Sequence, residues 1–131
     1  MSHNPKLNTQ NSLHWKERWE LEAGREYEKY FAMSVQQLLI EIRAGRLGLY
    51  YQIWQALGDK ADKSACLVLW EFLRDNPAKE SELQRYHCAG ALFKLLDAGD
   101  EFERIWRPQV QWGHEGEEKR QQSLQKLKKL I

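Results

Sequence analysis

A chain of 131 residues is about one domain long, and 42% apolar with 30% charged residues is the balance of a folded globular chain, not a disordered one. With 20 Lys and Arg against 19 Asp and Glu there is no overall field to attract nucleic acid or an anionic membrane. No apolar run approaches the ~20 residues of a membrane span, and the polar N-terminus lacks a signal-peptide core. Cys66 and Cys88 both fall in apolar helical pattern and read as reduced core thiols of a cytoplasmic protein.

Taken in order, residues 1–12 are polar and turn-rich and are expected to form a flexible arm. Ser12 is placed to cap a helix running to about Phe31, which Gly24 weakens by roughly 1 kcal/mol. Ser34 with Gln37 has the spacing of a capping box, with Met33 and Leu38 at the staple positions; the helix it opens buries Val35, Leu38, Leu39 and Ile42. Gly45 is expected to close it in the left-handed conformation. A further helix is expected over Leu47–Leu57, ended by Gly58.

Ser64–Leu73 is apolar at eight of ten positions, with Asp62 or Ser64 as its cap, and a helix greasy on two faces has to be covered on both. Asn76-Pro77 ends it and begins another helix reaching about Leu96, closed by Gly99. Asp100 and Glu103 are spaced as a cap pair ahead of Phe102, Ile105 and Trp106, and Pro108 ends or kinks that segment. Residues 111–116 read as a turn. Glu117–Ile131 is expected to be a helix whose narrow stripe of Leu124, Leu127 and Leu130 docks lightly or frays.

The chain echoes itself. Shifted by 30 residues, Ser34 falls on Ser64, Leu38 on Val68, Leu39 on Leu69, Glu41 on Glu71 and Ile42 on Phe72; shifted by 35, Tyr51 falls on Tyr86, Ala56 on Ala91 and Leu57 on Leu92. Such spacing implies helical hairpins that bury their apolar faces only by stacking. The run from Tyr51 to Asp75, with its Ala56-Leu57-Gly58 helix end and Asp-containing turn, resembles a HEAT-like repeat of the phycobilisome lyase type. Arg85-Tyr86 and the apolar run to Leu96 are similar to the first helix of the next unit. The resemblance covers about 48–107 and, more loosely, 34–45. It implies an all-α fold, a short HEAT-like α-solenoid of about three stacked hairpins over 13–111, followed by a C-terminal helix or tail over 112–131.

Chemistry is harder to find. Iron-binding relatives with this repeat use several His-Glu pairs, whereas this chain has one, His114-Glu115, outside the repeats, so no metal or other cofactor is expected. His87 reads as a surface or half-buried residue. No Gly-rich phosphate loop or Ser/His/Asp set appears. The expected function is therefore a non-enzymatic protein-protein interaction or scaffold module whose partner is another protein. Its face is made by Gln36, Gln37, Arg43, Glu71 and Arg74 on successive inner helices. Trp15 and Trp19, four apart on one helical face, either anchor a second contact or cap the end of the stack. One alternative is a lyase-like or chaperone accessory factor for a pigment or cofactor protein; a second is nucleic-acid binding through the basic tail, where 112–131 carries five positive against three negative charges.

Overall fold

The computed structural model describes the backbone of residues 5–76, 78–107 and 114–131, and the side chains of 14–76, 82–107 and 116–131. Among these residues no strand occurs, so the all-α expectation holds. The elements are α1 (Pro5–Phe31), α2 (Val35–Arg43), α3 (Gln52–Asp59), a 3-10 turn (Lys63–Ala65), α4 (Cys66–Asp75), α5 (Ala78–Leu95), the short α6 (Gly99–Glu101), a π-helical turn (Phe102–Trp106) and α7 (His114–Lys128).

α1 starts well before Ser12 and passes through Gly24 without a break, so residues 5–12 continue a helix; the rest of the expected arm, residues 1–4, lies outside the described residues. α2 forms as expected. The Ser34 hydroxyl accepts from the Gln37 N–H at 3.1 Å, and the Ser34 N–H donates to Gln37 Oε1 at 2.9 Å, closing the capping box. At its other end Gly45 takes φ +76; its N–H bonds Ile42 and the Arg46 N–H bonds Glu41, the two hydrogen bonds of a Schellman closure.

The next helix departs from expectation at both ends. Residues 47–51 are not helical, because they wrap around a carboxylate brought from α1. Glu26 accepts the N–H groups of Leu49 at 2.6 Å, Tyr50 at 2.9 Å and Gln52 at 3.2 Å. α3 has no side-chain cap of its own, and its N-cap Tyr51 is left-handed at φ 63, so Glu26 caps it from another helix. Gly48, φ +75, is required there: a Cβ would lie 2.5 Å from Glu26 Oε1 and 2.9 Å from the Tyr30 hydroxyl. At the far end Gly58 sits buried inside α3 and faces Ala91 of α5, while the left-handed closing residue is Ala61, φ 54.

The 3-10 turn is capped by Asp62, whose carboxylate accepts the Ser64 N–H at 2.9 Å. α4 then ends at Asp75, as expected before a proline, with extended Asn76 donating its side-chain amide to the Phe72 carbonyl at 2.8 Å. α5 is closed by Asp97, φ 53, and not by Gly99; Asp is one of the few residues that accept this conformation through local hydrogen bonding. Asp100 and Glu103 form no cap, since α6 opens at Ala98 without a side-chain hydrogen bond. The expected role of Pro108 and most of the turn at 111–116 lie outside the described residues.

α3 lies between α1 and α5, α4 packs on α5, and α7 packs on α4. The core joins Leu38 and Ile42 of α2, Ile53, Trp54 and Leu57 of α3, Leu69 and Leu73 of α4, Leu92 and Phe93 of α5, Trp106, and Leu124 of α7. Both cysteines are buried and free, and burial raises both thiol pKa values above the ordinary one. α7 docks through two of its stripe residues: Leu124 and Leu127 are buried, and the Trp70 indole N–H donates to the Leu124 carbonyl at 2.7 Å, whereas Leu130, beyond the helix end, is exposed. Among the described residues no helix is long and apolar enough to cross a membrane.

Two outcomes follow. Removing the carboxylate in Glu26→Ala leaves three amides at the α3 terminus without their acceptor and is expected to cost roughly 2–3 kcal/mol in urea unfolding. Ala61→Gly relieves a left-handed alanine and is expected to stabilise by about 0.5–1 kcal/mol, seen as a raised thermal midpoint.

Candidate functional site

α2 and α4, which match at the 30-residue shift, line one groove of about 250 Å³. Its floor is apolar, from buried Ile42 and Val68 and half-buried Phe72, and its rim carries Arg43 from α2 with Glu71 and Asp75 from α4. The capping box and the glycine closure of α2 fix where Arg43 leaves the helix end; the Asn76 stop fixes Asp75 in the same way.

The residues expected to form a face are only partly gathered here. Arg43 and Glu71 line the groove. Arg74 is turned to its neighbour Asp75 in a two-point contact at 2.7 and 3.0 Å, and its guanidinium lies 5.2 Å from the centre of the Trp70 ring. That contact holds the Asp75 carboxyl below the usual carboxylate value. Gln37 is occupied by the capping box, and Gln36 is exposed beside it on α2. Trp15 and Trp19 stand apart on α1, 69% and 45% exposed, with Trp19 edge-on to Tyr50 at 5.6 Å.

A second groove, not anticipated from the sequence, runs along α5 between α3 and the π-helical turn. Two hollows of about 330 and about 390 Å³ share Gly90, Lys94 and Phe102 and so form one trough. Aromatic rings wall it. His87 stacks on Tyr51 at 4.7 Å, Tyr86 meets His87 edge-on at 5.3 Å, and Tyr86 contacts Phe102 at 5.4 Å. Burial pushes the His87 imidazole below its ordinary pKa, so it is neutral near pH 7 and suits stacking better than charge recognition. Lys94 is held by Asp59 at 2.7 Å, and Asp59 also accepts from the Tyr27 hydroxyl at 2.8 Å. The Lys94 contact, ahead of the Tyr27 one, keeps the Asp59 carboxyl below its usual value. The 35-residue echo of Tyr51 with Tyr86 was the available signal for this trough: Tyr86 lines it, and Tyr51 backs His87 of its wall.

Beneath the helices lies a charged cluster. Arg85 and Arg120 are 0% exposed and converge on Glu117: Arg85 Nη1 and Nη2 reach its carboxylate at 2.7 and 2.9 Å, and Arg120 Nε at 3.1 Å. Both guanidiniums lie within 6 Å of the centre of the Trp106 ring, at 5.6 and 5.9 Å. Arg85 also donates to the Leu73 carbonyl at 3.2 Å, tying α4, α5 and α7 together. Burial alone would raise the Glu117 pKa, but Arg85, Gln121 and Arg120 hold it below the ordinary value. With both arginines fully buried and three helices joined through it, this cluster serves the packing. No group of three or more His, Cys, Asp or Glu able to hold a metal occurs among the described residues, and the side chains of His114 and Glu115 lie outside them.

The chain matches no protein-family model, no curated protein and no solved structure.

A carboxyl whose folded pKa lies below its unfolded value stabilises the fold above the unfolded value and loses that contribution as the pH falls through the folded one. Unfolding midpoints are therefore expected to drop as the pH is lowered from about 5.5 to about 3.5, Glu117 contributing with the other lowered carboxylates. Glu117→Gln removes the negative charge that two buried guanidiniums share and is expected to cost about 3–5 kcal/mol at neutral pH and to flatten the acid dependence, as measured by urea titration across that range.

Proposed function

We propose that this chain is a non-enzymatic protein-interaction module of the HEAT-like repeat type, acting in the cytoplasm, and that the groove between α2 and α4 receives its partner. The observation that supports this reading is the pairing of the two echoing helices around one groove, with Arg43 and Glu71 on its rim. The order of packing, in which α3 separates α1 from α5 and α4 backs onto α5, agrees with stacked hairpins. An apolar floor under a rim of both charges suits a segment of another protein that brings an apolar residue to the floor, a carboxylate to Arg43 and a cation to Glu71.

The test is affinity capture from the native host with the wild-type chain and with Arg43→Glu and Glu71→Arg, each checked for an unchanged helical circular dichroism signal. One partner in about equimolar amount, bound roughly tenfold more weakly by each variant, is the expected result. Capture that is indifferent to both substitutions would contradict the assignment of this groove.

A further inference from the structure

The stretch of α1 from His14 to Leu21 is an oddity of this fold. From His14 to Leu21 every side chain is exposed, whichever side of the helix it occupies, and two of them are tryptophans. The aromatic contact of this stretch with another part of the chain is the edge-on one of Trp19 with Tyr50, and a helical segment with so little tertiary cover is marginal in water, because packing of an apolar face supplies most helical stability. Trp15 and Trp19 are one turn apart, about 6 Å along the axis, and share a face. At helical spacing Lys16 and Arg18 flank that face on either side and Glu17 lies on the opposite one; Glu22, at the edge of the same face, accepts from the Tyr50 hydroxyl and holds Arg18 in an exposed pair at 3.2 Å.

The trough along α5 is its counterpart. The two hollows succeed each other along α5, from the level of Tyr86 and His87 to the level of Asp97, and meet at Gly90 where the floor has no side chain. Aromatic walls suit indole rings, which prefer edge-on and offset contacts. With Lys94 paired to Asp59, the far end of the trough carries exposed Asp97, and Glu103 in an exposed pair with Arg107. A helix face whose indoles stand between Lys16 and the exposed Arg18–Glu22 pair meets an aromatic trough whose rim carries Asp97 and the exposed Glu103–Arg107 pair, and exposed pairs of this kind exchange partners at little cost. Within one chain α3 lies between α1 and α5, which keeps the two surfaces apart.

We infer that the occupant of the trough is a second copy of this chain: Trp15 and Trp19 of one protomer enter the α5 trough of another, with Lys16 and Arg18 against its Asp97 and Glu103. Repeated by a two-fold axis, the exchange closes a dimer with two identical contacts. This surface is separate from the α2 and α4 groove, so the failure of either assignment leaves the other standing.

Light scattering coupled to gel filtration, from about 1 to about 100 μM chain, reads the outcome. The wild type is expected to rise from one chain mass to two. Trp15→Ala, which removes only an exposed ring, and Gly90→Leu, which fills the trough, are each expected to weaken association at least tenfold. An equal mixture of the two variants is expected to associate better than either alone, because one intact helix then meets one intact trough. Should Gly90→Leu lose its helical signal, Glu103→Lys takes its place, weakening association in the wild type and restoring it in Lys16→Glu. A single chain mass throughout would overturn the proposal. So would a dimer unmoved by Trp15→Ala, or a mixture no better than its components, which is the result if the tryptophans pair with each other.

Discussion

The stack is set by one carboxylate acting at a distance in the chain. Glu26 on α1 collects the amides of Leu49, Tyr50 and Gln52, and so fixes both where α3 begins and how it lies against α1. A helix that starts with a left-handed Tyr51 has no local means to satisfy its first amides, and burying them without a partner would cost far more than placing an acid beside them. Once α3 is seated, Trp54 donates its indole N–H to Gln84 of α5 at 2.6 Å and Gly58 lets the two helices meet at Ala91. α4 and α7 then have a surface to cover.

A second clamp holds the other end. Glu117 carries two buried arginines from different helices, and Trp106 lies beside both guanidiniums. Neither clamp is a general adhesive. Each is one acid serving several donors, some of them brought from another element, so each specifies an arrangement as much as it stabilises one. Trp70 extends the second clamp: its indole N–H seats α7 through the Leu124 carbonyl, while Arg74 and Lys128 lie over its ring at 5.2 and 4.3 Å.

Local features of this fold were readable from the residues alone, and long-range ones were not. The α2 capping box, the Gly45 closure, the stop before Pro77 and the burial of Leu69 and Leu73 each depend on neighbours within one turn or on apolar density, and each is found. The start of α3 was misplaced because its cap comes from a residue 23 positions earlier than Leu49. Ala61 and Asp97 close helices where Gly58 and Gly99 were expected, since packing against α5 draws Gly58 into the helix body and tertiary context overrides the usual preference for glycine. The narrow stripe of α7 hid a real docking helix, because Arg120 and Ser123 are buried among its leucines and polar residues carry no apolar signal. At the site, Arg43 and Glu71 share the groove between the two helices that echo each other, whereas Arg74 is drawn aside by Asp75, a contact between sequence neighbours that helical periodicity ignores.

The central functional claim is that a partner is held between α2 and α4. Hydrogen exchange on the chain alone and on the complex captured from its native host tests it most directly. Slowed exchange concentrated in residues 35–43 and 66–76 is the predicted result, because ligand contact there protects two helices that belong to one groove. Unchanged exchange in both segments, with slowing elsewhere, would contradict it.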